Sequence, residues 1–271
     1  MPELPEVETT CRGIEPHLKG KKVSALVVRN SSLRWPIPTD LASRIEGKAL
    51  RSVVRRGKYL LLNFDGGALL VHLGMSGSLR IVSPKEPPGY HDHVDLQFGA
   101  KLCLRYTDPR RFGCWLWAED EVLSHKLLRD LGPEPLSEAF TAQYLYQKSR
   151  GKKQNLKTFV MDSHVVVGVG NIYANEALFL ARLRPRRAAA SLTLPKAALL
   201  VDHIKAVLSA AIEQGGTTLK DFVGGDGKPG YFQQQLLVYG RGDEPCRVCH
   251  TALKEVRVSN RATVYCANCQ R

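Results

Sequence analysis

The chain has 271 residues, 39 Lys plus Arg against 26 Asp plus Glu, and a formal net charge of +13 at a pI near 9.5. With 44 % apolar residues it can bury a core, which excludes disorder as its main state, and its cationic excess calls for a polyanionic partner. No stretch approaches the roughly 18 uninterrupted apolar residues of a membrane span. The start MPELPEVE puts prolines and carboxylates where a secretory leader needs cations and then an apolar run, so the expected location is the cytosol or nucleoid, away from membranes.

In chain order, the first predicted element is a helix near residues 3–19. Val7, Cys11, Ile14 and Leu18 recur at three- and four-residue spacing, and Pro2, Glu3 and Glu6 suit a helix start and its dipole. Short apolar runs follow at 23–28, 59–64, 68–73, 94–98, 102–106 and 112–117, separated by Gly, Asp or Pro. Runs of this length, rich in Val, Leu and aromatics, read as strands of a sandwich or barrel. From about residue 121 the pattern turns helical, through 122–131, 139–148, 156–162, 172–181 and 194–213. The change of pattern puts a boundary within 129–149, where Gly132-Pro133 interrupts the chain. Residues 1–150 carry a net charge of +5 and residues 151–271 one of +8, so the second part should supply much of the contact with phosphate.

The seven cysteines divide sharply. Cys11, Cys103 and Cys114 are scattered and read as buried small hydrophobes. Cys246, Cys249, Cys266 and Cys269 form two Cys-x-x-Cys pairs with 16 residues between them. Each pair can turn two thiolates to one point, and four thiolates close the tetrahedral shell of one structural Zn²⁺, leaving no position for a catalytic water. Disulfides or free thiols are the alternative. The intervening segment has room for a β-hairpin carrying Lys254, Arg257 and Arg261; Lys254 and Arg257 read as solvated loop charges.

At the other end, a small residue after Met1 ordinarily permits removal of the initiator, which exposes Pro2 as a secondary amine. An α-amine has a pKa near 7.7–8.0, so part of it is neutral at pH 7 and can attack a sugar's anomeric carbon, forming an iminium. Glu3 and Glu6 lie on one helix face as candidates for proton transfer. On composition alone, Pro2 reads as an ordinary helix-start proline and the glutamates as dipole partners.

The combination decides between these readings. MPELPEVE, Val71-His-Leu-Gly-Met-Ser-Gly, Tyr106-Thr-Asp-Pro-Arg-Arg-Phe-Gly, Val167-Gly-Val-Gly-Asn-Ile-Tyr, Gln214-Gly-Gly-Thr-Thr, Asp226-Gly-Lys-Pro-Gly-Tyr-Phe and the terminal cysteines occur together in this order. The chain closely resembles the bacterial formamidopyrimidine-DNA glycosylases (8-oxoguanine DNA glycosylase/AP lyases) from Pro2 to Arg271. The resemblance implies an α+β multidomain fold: an N-terminal β-sandwich with flanking helices over 1–130, a helical helix-two-turn-helix domain over 131–240 and a zinc finger over 241–271. It also implies a base-excision repair enzyme, a monomer that removes oxidised purines from double-stranded DNA and cleaves at abasic sites by β,δ-elimination, with one structural Zn²⁺ and no nucleotide cofactor.

Position by position, Pro2 resembles the Schiff-base nucleophile, Glu3 the carboxylate assisting base loss, Glu6 a second acid beside it, and Lys58 the β-domain lysine at the lesion's phosphate. Met75, Arg110 and Phe112 match the trio that fills the hole left by a flipped nucleotide; taken singly, Met75 and Phe112 read as core and Arg110 as surface. Asn171 and Arg261 match paired phosphate ligands, and His72, His91, Lys152 and Tyr239 further DNA contacts. The glycine-rich segment 217–231, with Thr217, Thr218 and Tyr231, resembles the loop over the extruded base. The sister family, endonuclease VIII, shares the Pro-Glu chemistry but prefers oxidised pyrimidines and usually starts PEGPE, where this chain has Leu4. A non-catalytic zinc-ribbon DNA-binding protein accounts for charge and cysteines but not for Pro2 and Glu3, and a redox protein using the Cys-x-x-Cys pairs is a third alternative.

Overall fold

The computed structural model describes residues 1–216 and 235–271; Thr217, Thr218 and Tyr231 lie outside the described residues. The chain divides into two compact units, one of Met1–Arg129 that also takes in the residues from Gln214, the other of Asp130–Glu213 and the C-terminal residues to Arg271.

In the first unit, helix α1 (Leu4–Leu18) starts and stops within one residue of its predicted bounds. Its apolar stripe, Val7, Cys11, Ile14 and Leu18, is buried in one core with residues of two antiparallel sheets. One sheet has the order β1 (Ala25–Val28), β6 (Asp92–Gln97), β7 (Cys103–Thr107), β5 (Ser78–Val82). The other runs β2 (Ser52–Arg56), β3 (Tyr59–Phe64), β4 (Gly67–His72), β8 (Cys114–Ala118). A short helix α2 (Leu41–Ile45) adds Leu41 and Ile45 to the core. Each fully buried Leu, Ile or Val in such a core contributes about 1.5–3 kcal/mol. The three scattered cysteines are buried, and burial pushes each thiol up to about 12, so they are inert.

Three sequence expectations change here. Strands β2 and β5 have no predicted counterpart, because Ser-Val-Val-Arg-Arg and Ser-Leu-Arg-Ile-Val each bury one side chain and sheet partners supply what the local pattern lacks. The predicted helix at 122–131 reduces to a single 3-10 turn, Val122–Ser124: Leu123 is 61 % exposed and only Leu128 reaches a core, too little for an amphipathic face. Phe112 precedes its strand rather than opening it, and stands 45 % exposed.

The second unit contains α3 (Ala142–Ser149), α4 (Leu156–Val160), α5 (Asn171–Leu180), α6 (Leu194–Glu213) and a hairpin of β9 (Lys254–Val258) and β10 (Arg261–Tyr265). Thr141 and Asn155 cap α3 and α4 by accepting from Tyr144 N–H and Thr158 N–H. Two turns connect α4 to α5, with the N–H groups of Val165 and Val166 both donating to the Asp162 carbonyl. Helix α6 matches its predicted span and buries Leu200, Val201, Ile204 and Leu208. Among the described residues no helix is long and apolar enough to cross a membrane.

Candidate active site and nucleic-acid interface

The first unit gathers its polar residues at the N-terminus of α1. Glu3 is the N-cap, and the Glu6 carboxylate reaches back to accept from Glu3 N–H at 2.8 Å, as in a capping box. Both carboxylates are buried, at 2 % and 0 % exposure. The Met1 amino group lies among them. Burial holds its pKa below the usual α-amine value, Glu3 and Glu6 oppose that shift, and Lys58 and Arg110 add to it. A terminal amine, two carboxylates, a lysine and an arginine therefore share one electrostatic environment.

Lys58 owes its place to a hairpin. Arg56 pairs with Tyr59, so Gly57 and Lys58 form a two-residue turn, and Gly57 at φ 58° takes the first position, where a type II′ turn needs glycine. Glu8 on α1 accepts from Arg55 Nε at 2.8 Å, and Arg55 donates on to the Gly57 carbonyl at 3.1 Å. That pair ties the helix that follows Pro2 and Glu3 to the turn bearing Lys58. Burial raises the Glu8 pKa, but hydrogen bonds from Arg55 and Arg12 outweigh it and keep the carboxylate ionised.

His72 ends β4 opposite Tyr59, its ring 4.9 Å from the tyrosine ring. Nδ1 accepts from Gly74 N–H at 2.9 Å, so the neutral ring carries its proton on Nε2. Burial, with Lys58 and Arg34 adding, depresses its pKa from 6.5 to about 4. The unfolded chain binds this proton near pH 6.5 and the folded chain only near 4, so stability is lost as pH falls through that window. The His72 imidazole resonances should accordingly stay flat from pH 8 to 5 in an NMR titration, and a midpoint near 6.5 would contradict the burial argument.

Met75, 37 % exposed, and Arg110 with Phe112 occupy two turns joined by one buried carboxylate. Asp108, at 0 % exposure, accepts from Tyr106 Oη at 2.8 Å, Gly113 N–H at 3.0 Å, Arg110 N–H at 3.3 Å and Ser76 Oγ at 3.4 Å. The turns abut so closely that a Cβ on Gly74 would lie 2.6 Å from Gly113 N. The Arg110 guanidinium stacks on the Phe112 ring at 4.9 Å. An exposed Met, a cation and a ring thus project from one rigid knot, an arrangement that core packing does not explain. His91 lies nearby in sequence and structure: its carbonyl accepts from Asp108 N–H, and its ring makes edge contacts with Tyr90 and His93. The importance of Tyr106 and Asp108 was visible only as part of a motif, since neither shows by spacing that it braces two turns.

The second unit bolts its hairpin to the helices. Lys157 of α4, 1 % exposed, donates to the Ala262 carbonyl at 2.9 Å and to Thr263 Oγ1 at 2.6 Å. Asn171 Nδ2 donates to the same carbonyl at 3.1 Å, and Asn175 Oδ1 accepts from Val264 N–H at 2.9 Å. Asn171 is thereby held beside the residue that follows Arg261. Ser259 and Asn260, at φ 48° and 60°, make the two-residue turn with positive φ at both positions that a type I′ hairpin needs, and Arg261 emerges exposed directly after it. Lys152 is exposed in the connection after α3. Tyr239 is positioned by buried Glu176, which accepts from the N–H groups of Leu237, Val238 and Tyr239 at 2.8–3.0 Å; burial raises the Glu176 pKa and those donors oppose it.

The sulfur atoms of Cys246, Cys249, Cys266 and Cys269 lie within 4.8 Å of one another, with 4.0 Å between Cys246 and Cys269 and 3.4 Å between Cys249 and Cys266. Tetrahedral Zn–S bonds of about 2.3 Å require sulfurs about 3.8 Å apart, so the cluster fits the ion. Backbone N–H groups of Val248 and Cys269 point at Cys246 and Cys266 sulfur, which tempers the thiolate charge. Buried Gln270 ties the second knuckle to the body, accepting from Cys266 N–H and donating to the Leu183 carbonyl. The four cysteines hold one structural zinc.

Sequence profiles of known families agree along the chain. The Formamidopyrimidine-DNA glycosylase N-terminal domain matches residues 1–115, the H2TH domain of the same enzymes 131–223, and the zinc finger found in FPG and IleRS 243–271. The Formamidopyrimidine-DNA glycosylase of Saccharophagus degradans is 61 % identical over 271 residues, covering 100 % of both chains. A solved complex of a Lactococcus lactis FPG mutant with Fapy-dG containing DNA superposes with a TM-score of 0.93 at 33 % identity, covering 100 % of both chains. The FPG protein of Thermus thermophilus gives 0.90 at 38 % identity, covering 99 % of this chain and 98 % of that one. Fold, metal site and sequence thus converge, and the chain belongs to the formamidopyrimidine-DNA glycosylase family.

Proposed function

We propose that this chain excises oxidised purines, 8-oxoguanine and formamidopyrimidines, from duplex DNA and then cleaves the strand at the resulting abasic site, acting in the cytoplasm at the nucleoid. The observation that carries the reading is the environment at the start of α1, where a terminal amine of lowered pKa meets buried Glu3 and Glu6, with Lys58 and Arg110 contributing.

Once Met1 is removed, the Pro2 nitrogen is a secondary amine in that environment. Its lone pair attacks C1′ of the damaged nucleotide as the base departs with a proton; the nitrogen then gives up its own proton, the C1′–O4′ bond opens with O4′ taking a proton, and a ring-opened C1′ iminium remains. The iminium withdraws electrons from C2′, whose proton becomes removable by a carboxylate such as Glu3, and loss of the 3′ phosphate follows. A second elimination releases the 5′ phosphate, and hydrolysis of the iminium frees the enzyme. Glu6 holds the first turn in place through Glu3 N–H.

Lys58 and the Nε2 proton of neutral His72 are donors to phosphate near the reacting sugar. Met75, Arg110 and Phe112 fill the hole left by the extruded nucleotide; their rigid knot spares the ordering cost that three independent side chains would incur. In the second unit, Asn171 and Arg261 grip backbone phosphate, with Lys152, Tyr239 and, in the first unit, His91 as further contacts. Thr217, Thr218 and Tyr231 belong to the segment assigned to the extruded base. The zinc organises the hairpin and enters no chemical step.

Borohydride trapping on an 8-oxoguanine:C duplex, with mass mapping of the crosslinked peptide, tests this reading. A covalent adduct on Pro2 is the expected result. An adduct formed only on thymine-glycol duplex would reassign the chain to oxidised pyrimidines, and no adduct with DNA binding intact would leave a binding module.

A further inference from the structure

A cavity of the second unit, outside the residues assigned above, is lined by Lys153, Gln154, Arg186, Arg257 and Val258, and no Asp or Glu lines it. Among the described residues, none of the three cations makes a side-chain hydrogen bond or an ion pair. Glu255, two residues before Arg257 and on the same side of β9, lies instead against Gly242, its Oε2 2.6 Å from where a Cβ there would sit. Two arginines and a lysine crowded into one concavity repel each other, and low-dielectric walls concentrate their field. Elsewhere, several guanidiniums of the chain do meet carboxylates, as Arg55 meets Glu8, Arg51 Asp65 and Arg105 Asp95. These three await an anion from outside, and the planar fork of arginine suits phosphate.

A second cavity shares Gln154 and Val258 with it and is lined also by Asp162, Ser259 and Arg261. Arg257 pairs with Ala262 in the hairpin register and Arg261 with Val258, so the two arginines leave opposite faces of the hairpin, and the three cations form a site separate from the one that holds Arg261. We propose that Lys153, Arg186 and Arg257 form a further phosphate site, which takes a backbone phosphate of the DNA strand flanking the lesion. The proposal rests on the DNA-binding reading above, and it makes Arg257 a ligand rather than the solvated loop charge its sequence context suggests.

Binding of the zinc-loaded protein to a 25-base-pair lesion duplex, measured across 50–200 mM salt, tests it. Each neutralised phosphate contributes about 0.9 to the slope of log affinity against log salt. The Arg186→Ala/Arg257→Ala double variant should therefore lose about 0.9 of slope, so wild type loses about 3.5-fold more affinity than the variant over that range. Arg257→Lys, which keeps the charge, should keep the slope. Lys19→Ala/Lys21→Ala, beyond the opposite end of α1 from Pro2, controls for net charge and should leave the slope unchanged. Zinc content and melting temperature report the fold of each variant. A double variant with the wild-type slope overturns the site, including the case in which inorganic pyrophosphate binds wild type but not the variant, since the anion is then a free one. A wild type with no salt dependence would instead sink the DNA-binding reading itself.

Discussion

Protein that keeps Met1, or carries an uncleaved N-terminal tag, should lose strand cleavage by more than about 10³-fold while its affinity for lesion duplex stays within about twofold. The physical reason is bonding. With Met1 attached, the Pro2 nitrogen belongs to a peptide bond and its lone pair is delocalised into the carbonyl, so it is no longer a nucleophile and the only terminal amine is that of Met1, one residue out of position, although Lys58, His72, Arg110 and the second unit are untouched. Pro2→Gly should act in the same direction, since it leaves a primary amine on a residue with no ring to hold φ near −65°. The pH profile should follow. The surroundings that lower the pKa of the Met1 amine by burial should act in the same direction on a Pro2 amine freed in its place, so the single-turnover rate should hold at neutral pH and fall as the amine is protonated at lower pH. Gel assay of strand scission beside a binding isotherm checks the split, and retained lyase activity in the Met1-bearing protein would overturn the role of Pro2.

Removing the zinc should weaken DNA binding by about tenfold or more and leave the first unit folded. Structural zinc contributes its binding energy directly to folding, about 10–16 kcal/mol in isolated fingers, and here the finger's core is small: Cys246, Leu253, Val264 and Cys266 with Phe179 and Val238. Without the metal, the knuckles are held to the body by a few hydrogen bonds, from Gln270 to the Leu183 carbonyl and from Arg184 to the Gln270 and Ala267 carbonyls, and the hairpin that places Arg261 beside Asn171 loosens. The sandwich core contains no residue of the finger. Cys249→Ser should reproduce the effect of a chelator. Parallel metal analysis, DNA titration and a melt monitored at the first unit's tryptophans give the answer; unchanged affinity in a zinc-free protein would dismiss the finger from DNA binding.

Much of this was legible in the residues themselves. The stripe Val7, Cys11, Ile14, Leu18 specified α1 nearly to the residue, because helical periodicity is local. Two Cys-x-x-Cys pairs announced a metal, because a thiolate pair needs only a tight turn to converge. Pro2 and Glu3 were less telling: proline at a helix start with carboxylates behind it is ordinary, and only the full set of motifs in order distinguished chemistry from capping. Strands β2 and β5 stayed hidden because each buries a single side chain and depends on its neighbours for pairing.

What the sequence by itself determined is the set of elements with local periodicity, the metal site and the family. Tertiary structure alone decided which polar groups meet over long separations: Glu8 with Arg55, Lys157 with Ala262, Asn175 with Val264. It also showed that Asp108 braces Met75's turn and Phe112's turn together, and that Lys153, Arg186 and Arg257 share a cavity without a counter-ion. Periodicity and spacing report forces that act within a few residues. Burial of a charge, or its lack of a partner, is a property of the folded surface, and it exists only after distant segments have been brought into contact.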